Sequence, residues 1–154
     1  MDLTDLIGPD DISVGYKTSC KKQLLQDVAD SAARKTGLNS REIFDTLLER
    51  EKLGSTGVGN GIAIPHGKIA GLEEITGIVV FLDTPIDFDA QDDQPVDTVF
   101  MLLAPEAAGA DHLKALARIA RILREPGMRE QLRDATDKES VYSLLAGSLT
   151  SHAA

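Results

Sequence analysis

Two uninterrupted apolar runs constrain this chain more than any other feature: Gly77-Ile78-Val79-Val80-Phe81-Leu82 and Thr98-Val99-Phe100-Met101-Leu102-Leu103-Ala104. Continuous runs of this length suit strands covered on both faces. The covering material is legible on either side of them. From Ser19 or Cys20 a helical pattern places Leu24, Leu25, Val28, Ala29 and Ala32 on one face, with Gly37 where a C-cap glycine belongs. Asn39 and Glu42 resemble a capping box that opens a second helix, with the stripe Ile43, Phe44, Leu47 and Leu48, ended by Gly54. After the strands, Asp111 is placed to cap a helix whose apolar face includes Leu113, Leu116, Ala117, Ala120 and Leu123. Pro126-Gly127 breaks that pattern, and shorter helices follow over about 128–135 and 138–145.

Helices before and after a cluster of strands imply a central sheet with helices on both faces. Consecutive strands without long crossovers make that sheet mixed rather than doubly wound. The expected class is therefore α/β (α+β), a three-layer α/β/α arrangement around a central mixed sheet. Ile12-Ser13-Val14-Gly15-Tyr16 reads as a short first strand, and Ile62-Ala63-Ile64-Pro65-His66 as a strand at an edge or ending at Pro65, which lacks an N–H. The 154 residues carry no internal repeat or low-complexity tract and fit one domain over 1–154. Its ordered core is expected over about 3–147, with a frayed tail at 148–154 that includes His152.

Charge excludes some functions. Lys plus Arg is 16 and Asp plus Glu is 25, a net charge of −9 that opposes binding to nucleic acid or anionic membrane. Aromatic residues, used to stack bases, make up only 4%. No Lys or Arg lies between Lys68 and Lys114, a stretch holding ten carboxylates. These read as solvated acidic loops or as a patch that steers a basic partner. Cys20 is the only cysteine, the first residues lack a signal-peptide pattern, and no apolar stretch approaches the ~20 residues that span a bilayer. A cytoplasmic location without membrane insertion is expected.

The stretch Gly54-Ser55-Thr56-Gly57-Val58-Gly59-Asn60-Gly61 suggests a nucleotide loop, but its spacing fails. A P-loop needs G-x-x-x-x-G-K-[ST], whereas Gly61 and Gly67 are separated by five residues and Lys68 is followed by Ile69. The glycines also read G-x-G-x-G rather than G-x-G-x-x-G, and they precede a strand instead of following one. What remains is His66 between Pro65 and Gly67, an imidazole on a stiff mount. Neutral imidazole is a good nucleophile near pH 7, although a lone histidine beside glycines is more often a loop residue. A phosphoryl acceptor also needs groups that receive negative charge. Arg50, Ser55, Thr56 and the N–H groups of the glycine loop are near in sequence. His112 opens a helix, where an anion is favoured, or is simply a solvated helix-start residue.

Glu51 and, after six intervening residues, Val58-Gly59-Asn60-Gly61-Ile62-Ala63-Ile64-Pro65-His66-Gly67 resemble the signature of type-2 IIA domains of the phosphoenolpyruvate-dependent phosphotransferase system, in its fructose–mannitol branch. Arg50 to Gly57, Pro85 to Ala90 and Ala110 to Lys114 are similar to the family's nitrogen-regulatory branch. The resemblance covers nearly the whole chain, from Leu3 to the last helices, and its fold is a mixed sheet between helices. It implies that His66 is phosphorylated on Nε2 while a backbone group holds Nδ1. His112 would support the pocket and Arg50 would compensate charge. Ser55, Thr56, Asn60 and Gly67 would play supporting roles. It further implies no metal and no cofactor, an HPr-like phosphocarrier as donor, and no independent turnover. Regulated proteins such as transporters or sensor kinases would read the phosphorylation state. A sugar-specific component that passes phosphate to a IIB domain is the alternative. A hydrolase is disfavoured, because no nucleophile elbow and no H-E-x-x-H is present.

Overall fold

The computed structural model describes residues 5–151, with side chains as far as 147. Leu3, Thr4 and His152 lie outside the described residues. At the centre, β5 (Thr76–Ile86) and β6 (Val96–Pro105) run antiparallel, with Val79 opposite Phe100 and Ile78 opposite Met101. They contain the two apolar runs, as expected. On the outer side of β5 lies β1 (Ile12–Tyr16), parallel to it. On the other side of β6 lie three short strands, β2 (Gly57–Gly59), β3 (Ile62–Ala63) and β4 (His66–Ile69). The order is β1-β5-β6-β3-β2, with β4 also paired to β6, so the sheet is mixed.

Side chains of β5 and β6 alternate between two cores, as the period of a strand requires. Ile78, Val80, Leu82, Val99, Met101 and Leu103 pack with α1 (Lys21–Thr36) and α2 (Ser40–Lys52). Val79, Phe81, Phe100, Leu102 and Ala104 pack with α3 (Ala110–Arg124), α4 (Pro126–Asp134) and α5 (Lys138–Ser151). Both faces are thus covered and the layers are α/β/α. The α1 stripe is buried as predicted, and Gly37 closes that helix at φ 78°, a left-handed conformation that favours glycine. In α2 the Asn39 side chain accepts the Glu42 N–H at 3.1 Å.

The third helix differs from expectation. Gly109, not Asp111, occupies the cap position, and Asp111 is an exposed residue of the first turn. The inward face is His112, Ala115, Ile119, Ile122 and Leu123, while Leu113 is 68% exposed and Ala117 faces solvent. The recurrence at 112, 115, 119 and 122 follows the helical repeat and fixes the rotation. The break at Pro126 is present, α3 ending at Arg124 with Glu125 extended, but Pro126 and Gly127 are themselves the first residues of α4, where a missing N–H is harmless. Helical backbone in α5 continues through Ser151, into the segment expected to fray from 148.

The edge carrying His66 is also built differently. It is not the end of one strand: His66 opens β4, after Ile64-Pro65 interrupts the pairing. The register on β6 nevertheless continues, Ala63 facing Val99 and His66 facing Leu102. Across the interruption, the Pro65 carbonyl accepts the Leu102 N–H at 2.9 Å.

Candidate functional site

Pairing with Leu102 places His66 on the sheet face covered by α3, and α3 presents His112 there. The two imidazoles meet edge to face, with ring centroids 5.6 Å apart at 66°. Rotation of α3 buries His112, which is 6% exposed, instead of leaving it solvated at a helix start. The next residue, Gly67, points the other way, toward α2. A Cβ there would lie 2.6 Å from Thr46 Cγ2, so glycine lets the strand approach the helix closely. Gly67 therefore has a packing reason of its own.

His66 Nδ1 lies 2.7 Å from the Ile64 carbonyl. A carbonyl only accepts, so Nδ1 carries the hydrogen and Nε2 keeps its lone pair in the neutral ring. Burial lowers the pKa of His66, opposed by this hydrogen bond; the Arg50 charge lowers it further and the Glu51 charge raises it. Burial likewise lowers that of His112, helped by the charges of His66 and Lys68. Both rings are held toward neutrality. The buried His112 Nε2 has no hydrogen-bond partner among the described residues.

The remaining expected residues divide. Arg50, in the last turn of α2, donates to the Gly54 carbonyl at 2.7 Å while its charge is felt at His66. Ser55 Oγ donates to the Phe88 carbonyl at 2.7 Å and accepts the Gly57 N–H at 3.0 Å, so its hydroxyl serves the loop. Thr56 is buried, its N–H held by Glu51 Oε1 at 3.0 Å. Asn60 sits in the β2–β3 turn at φ 60°, its N–H on Asp92 and its carbonyl on Arg133. It lies before the Ile62–Thr98 pair, whereas His66 faces Leu102, so the structure does not bring Asn60 to the histidines.

Sequence reasoning missed Lys68 and Lys21. Lys68 follows His66 by two residues on β4, and that strand period was the available signal. Lys21 pairs with Glu51 at 3.1 Å, a contact between distant residues with no local signature. A cavity of about 520 Å³, lined by Leu6, Glu73, Glu74, Ile75, Pro105 and Asp111 among others, does not include His66. Among the described residues no three His, Cys, Asp or Glu are grouped to hold a metal ion, and no helix is long and apolar enough to cross a membrane.

Similarity to known proteins points the same way. The family described as "Phosphoenolpyruvate-dependent sugar phosphotransferase system, EIIA 2" matches residues 5–148. The chain is 56% identical over 146 residues to the nitrogen regulatory protein of Bradyrhizobium diazoefficiens, covering 95% of each. It is 42% identical to the protein of the same name from Pseudomonas aeruginosa, covering 93% of this chain and 94% of that one. The crystal structure of nitrogen regulatory protein IIA-Ntr from Neisseria meningitidis matches with a TM-score of 0.89 at 35% identity, covering 93% of this chain and 98% of that one. From the signature around His66 to the complete three-layer fold, this chain belongs to the EIIA type-2 family of the phosphoenolpyruvate-dependent sugar phosphotransferase system.

Proposed function

We propose that this chain is a nitrogen-regulatory IIA protein that accepts a phosphoryl group on His66 Nε2 from an HPr-like phosphocarrier. The observation that supports this reading is the 2.7 Å contact between Nδ1 and the Ile64 carbonyl, which leaves the lone pair of the neutral ring on Nε2, available for nucleophilic attack. As the Nε2 lone pair forms the new N–P bond, the donor's N–P bond breaks and its electron pair returns to the donor imidazole. The Nδ1 proton stays shared with Ile64. Transfer of this kind is positioning plus electrostatic stabilisation, and it needs no metal on this chain.

The incoming group brings roughly one and a half to two negative charges. Arg50 then changes role: a cation that disfavours a protonated His66 favours the phosphorylated one. The same negative charge promotes protonation of His112, whose buried Nε2 becomes a donor for it. The relatives' name, nitrogen regulatory protein, supports a regulatory output; we read that output as contacts with proteins such as transporters or sensor kinases in the cytoplasm. The test is intact mass after incubation with phosphoenolpyruvate, enzyme I and an HPr-like carrier. Wild type gains one acid-labile phosphoryl group and His66→Ala gains none; equal labelling of the variant overturns the assignment.

A further inference from the structure

A series of hydrogen bonds leads from the ion pair of half-buried Lys21 with the buried Glu51 carboxylate to the imidazole of His66. Lys21 Nζ lies 3.1 Å from Glu51 Oε1, and the same oxygen accepts the Thr56 N–H at 3.0 Å. The Thr56 carbonyl accepts the Ile64 N–H at 3.0 Å, and the Ile64 carbonyl accepts from His66 Nδ1 at 2.7 Å. Every residue between the lysine and the histidine is dry: Glu51 is 7%, Thr56 3% and Ile64 3% exposed. Water cannot replace a lost link there, and hydrogen bonds in such surroundings hold their geometry strongly. The lysine is fixed in turn, its ammonium 4.6 Å from the centre of the Phe88 ring.

We propose that Glu51 is a positioning residue for His66, acting through Thr56 and Ile64 to set the carbonyl that selects the imidazole tautomer. The proposal rests on His66 being the phosphoryl acceptor. A buried carboxylate costs free energy unless it is paired and hydrogen-bonded, and here its accepted hydrogen bond pins the strand segment that aims the nucleophile. Lys21 pairs with one oxygen of the carboxylate, and the bond from that oxygen to the Thr56 N–H transmits its position.

Position and charge are separable. Glu51→Gln keeps an oxygen at the same reach without the charge, and Glu51→Asp keeps the charge but withdraws it by one methylene. The readout is the Nδ1–H to Nε2–H tautomer ratio of His66, from ¹⁵N imidazole spectra of the unphosphorylated protein, together with the transfer rate from an HPr-like carrier. Glu51→Gln is expected to keep the wild-type tautomer, whereas Glu51→Asp shifts it toward Nε2–H and slows transfer by roughly tenfold to a hundredfold. An unchanged tautomer in folded Glu51→Asp, or a shift in Gln but not in Asp, overturns the proposal. Should Glu51→Asp fail to fold, wild-type tautomer and rate in Glu51→Gln support it and a shifted tautomer there overturns it. If wild type itself takes up no phosphoryl group, the acceptor reading has failed, and the tautomer spectra still test the series of bonds.

Discussion

His66 and His112 lie ring against ring, yet the chain holds them in opposite ways. His66 stands on a strand, its Nδ1 tied to a backbone carbonyl two residues away. His112 stands on the first turns of α3, buried by the rotation of that helix, with its Nε2 unpartnered among the described residues. One imidazole is committed before any partner arrives, and the other has a free nitrogen in a dry place. Adjacent histidines of equal chemistry are thereby made unequal: a nucleophile needs a fixed lone pair, whereas a group that answers new negative charge needs an uncommitted one.

The largest expected effect separates the two directly. Replacing each with glutamine, His66→Gln abolishes phosphoryl uptake, while His112→Gln still labels but about a hundredfold more slowly, as for loss of one stabilising donor. Quench-flow labelling measures both, and equal loss in the two variants would erase the distinction. A second experiment addresses the mount. Gly67→Ala places a methyl against Thr46 Cγ2 and should destabilise the fold by about 1–3 kcal/mol. Thr46→Ser removes that methyl and keeps the hydroxyl, which donates to the Glu42 carbonyl, so the double variant should recover most of the loss in urea denaturation.

A third, smaller effect is pH dependence. Both histidines have folded pKa values below the ordinary 6.5, so the unfolded chain binds more protons as pH falls past that value. Their contribution to stability is complete above about 6.5 and is lost as pH falls through the depressed folded values. Urea midpoints between pH 7.5 and 5 should therefore fall for wild type and fall less for either histidine-to-asparagine variant. A steeper fall in the variants contradicts the sign. The smallest effect concerns Arg50. Arg50→Ala removes a cation felt at His66, so the His66 pKa rises in an NMR titration and transfer slows several-fold. A downward movement would remove Arg50 from the site.

The three-layer fold was legible because its signals are local. Leu24 through Ala32 repeats with the helix period, Asn39 and Gly37 mark helix ends, and the apolar runs of β5 and β6 need cover on both sides. β2 and β4 were not legible, since three or four residues rich in glycine carry no periodicity and depend on pairing with distant partners. The face of α3 was misassigned because Leu113 and Ala117 are apolar yet exposed, while a histidine takes an inward position; burial by tertiary packing overrode the apolar pattern. In the site, His66 could be found from its own neighbours. The link from Lys21 to Glu51 joins residues on two helices and could not.

The interrupted edge has a consequence for how this family can vary. From Ala63 to His66 the chain advances as far as β6 advances from Val99 to Leu102, although the pairing stops in between. Because side chains alternate from one side of a sheet to the other, adding or deleting one residue at Ile64-Pro65 would turn the imidazole toward α2 and away from His112. The length of that segment is therefore fixed by the pleat of the sheet. Insertions in relatives should accumulate in the loops at either end of the edge and spare the residues between Ile62 and Ile69.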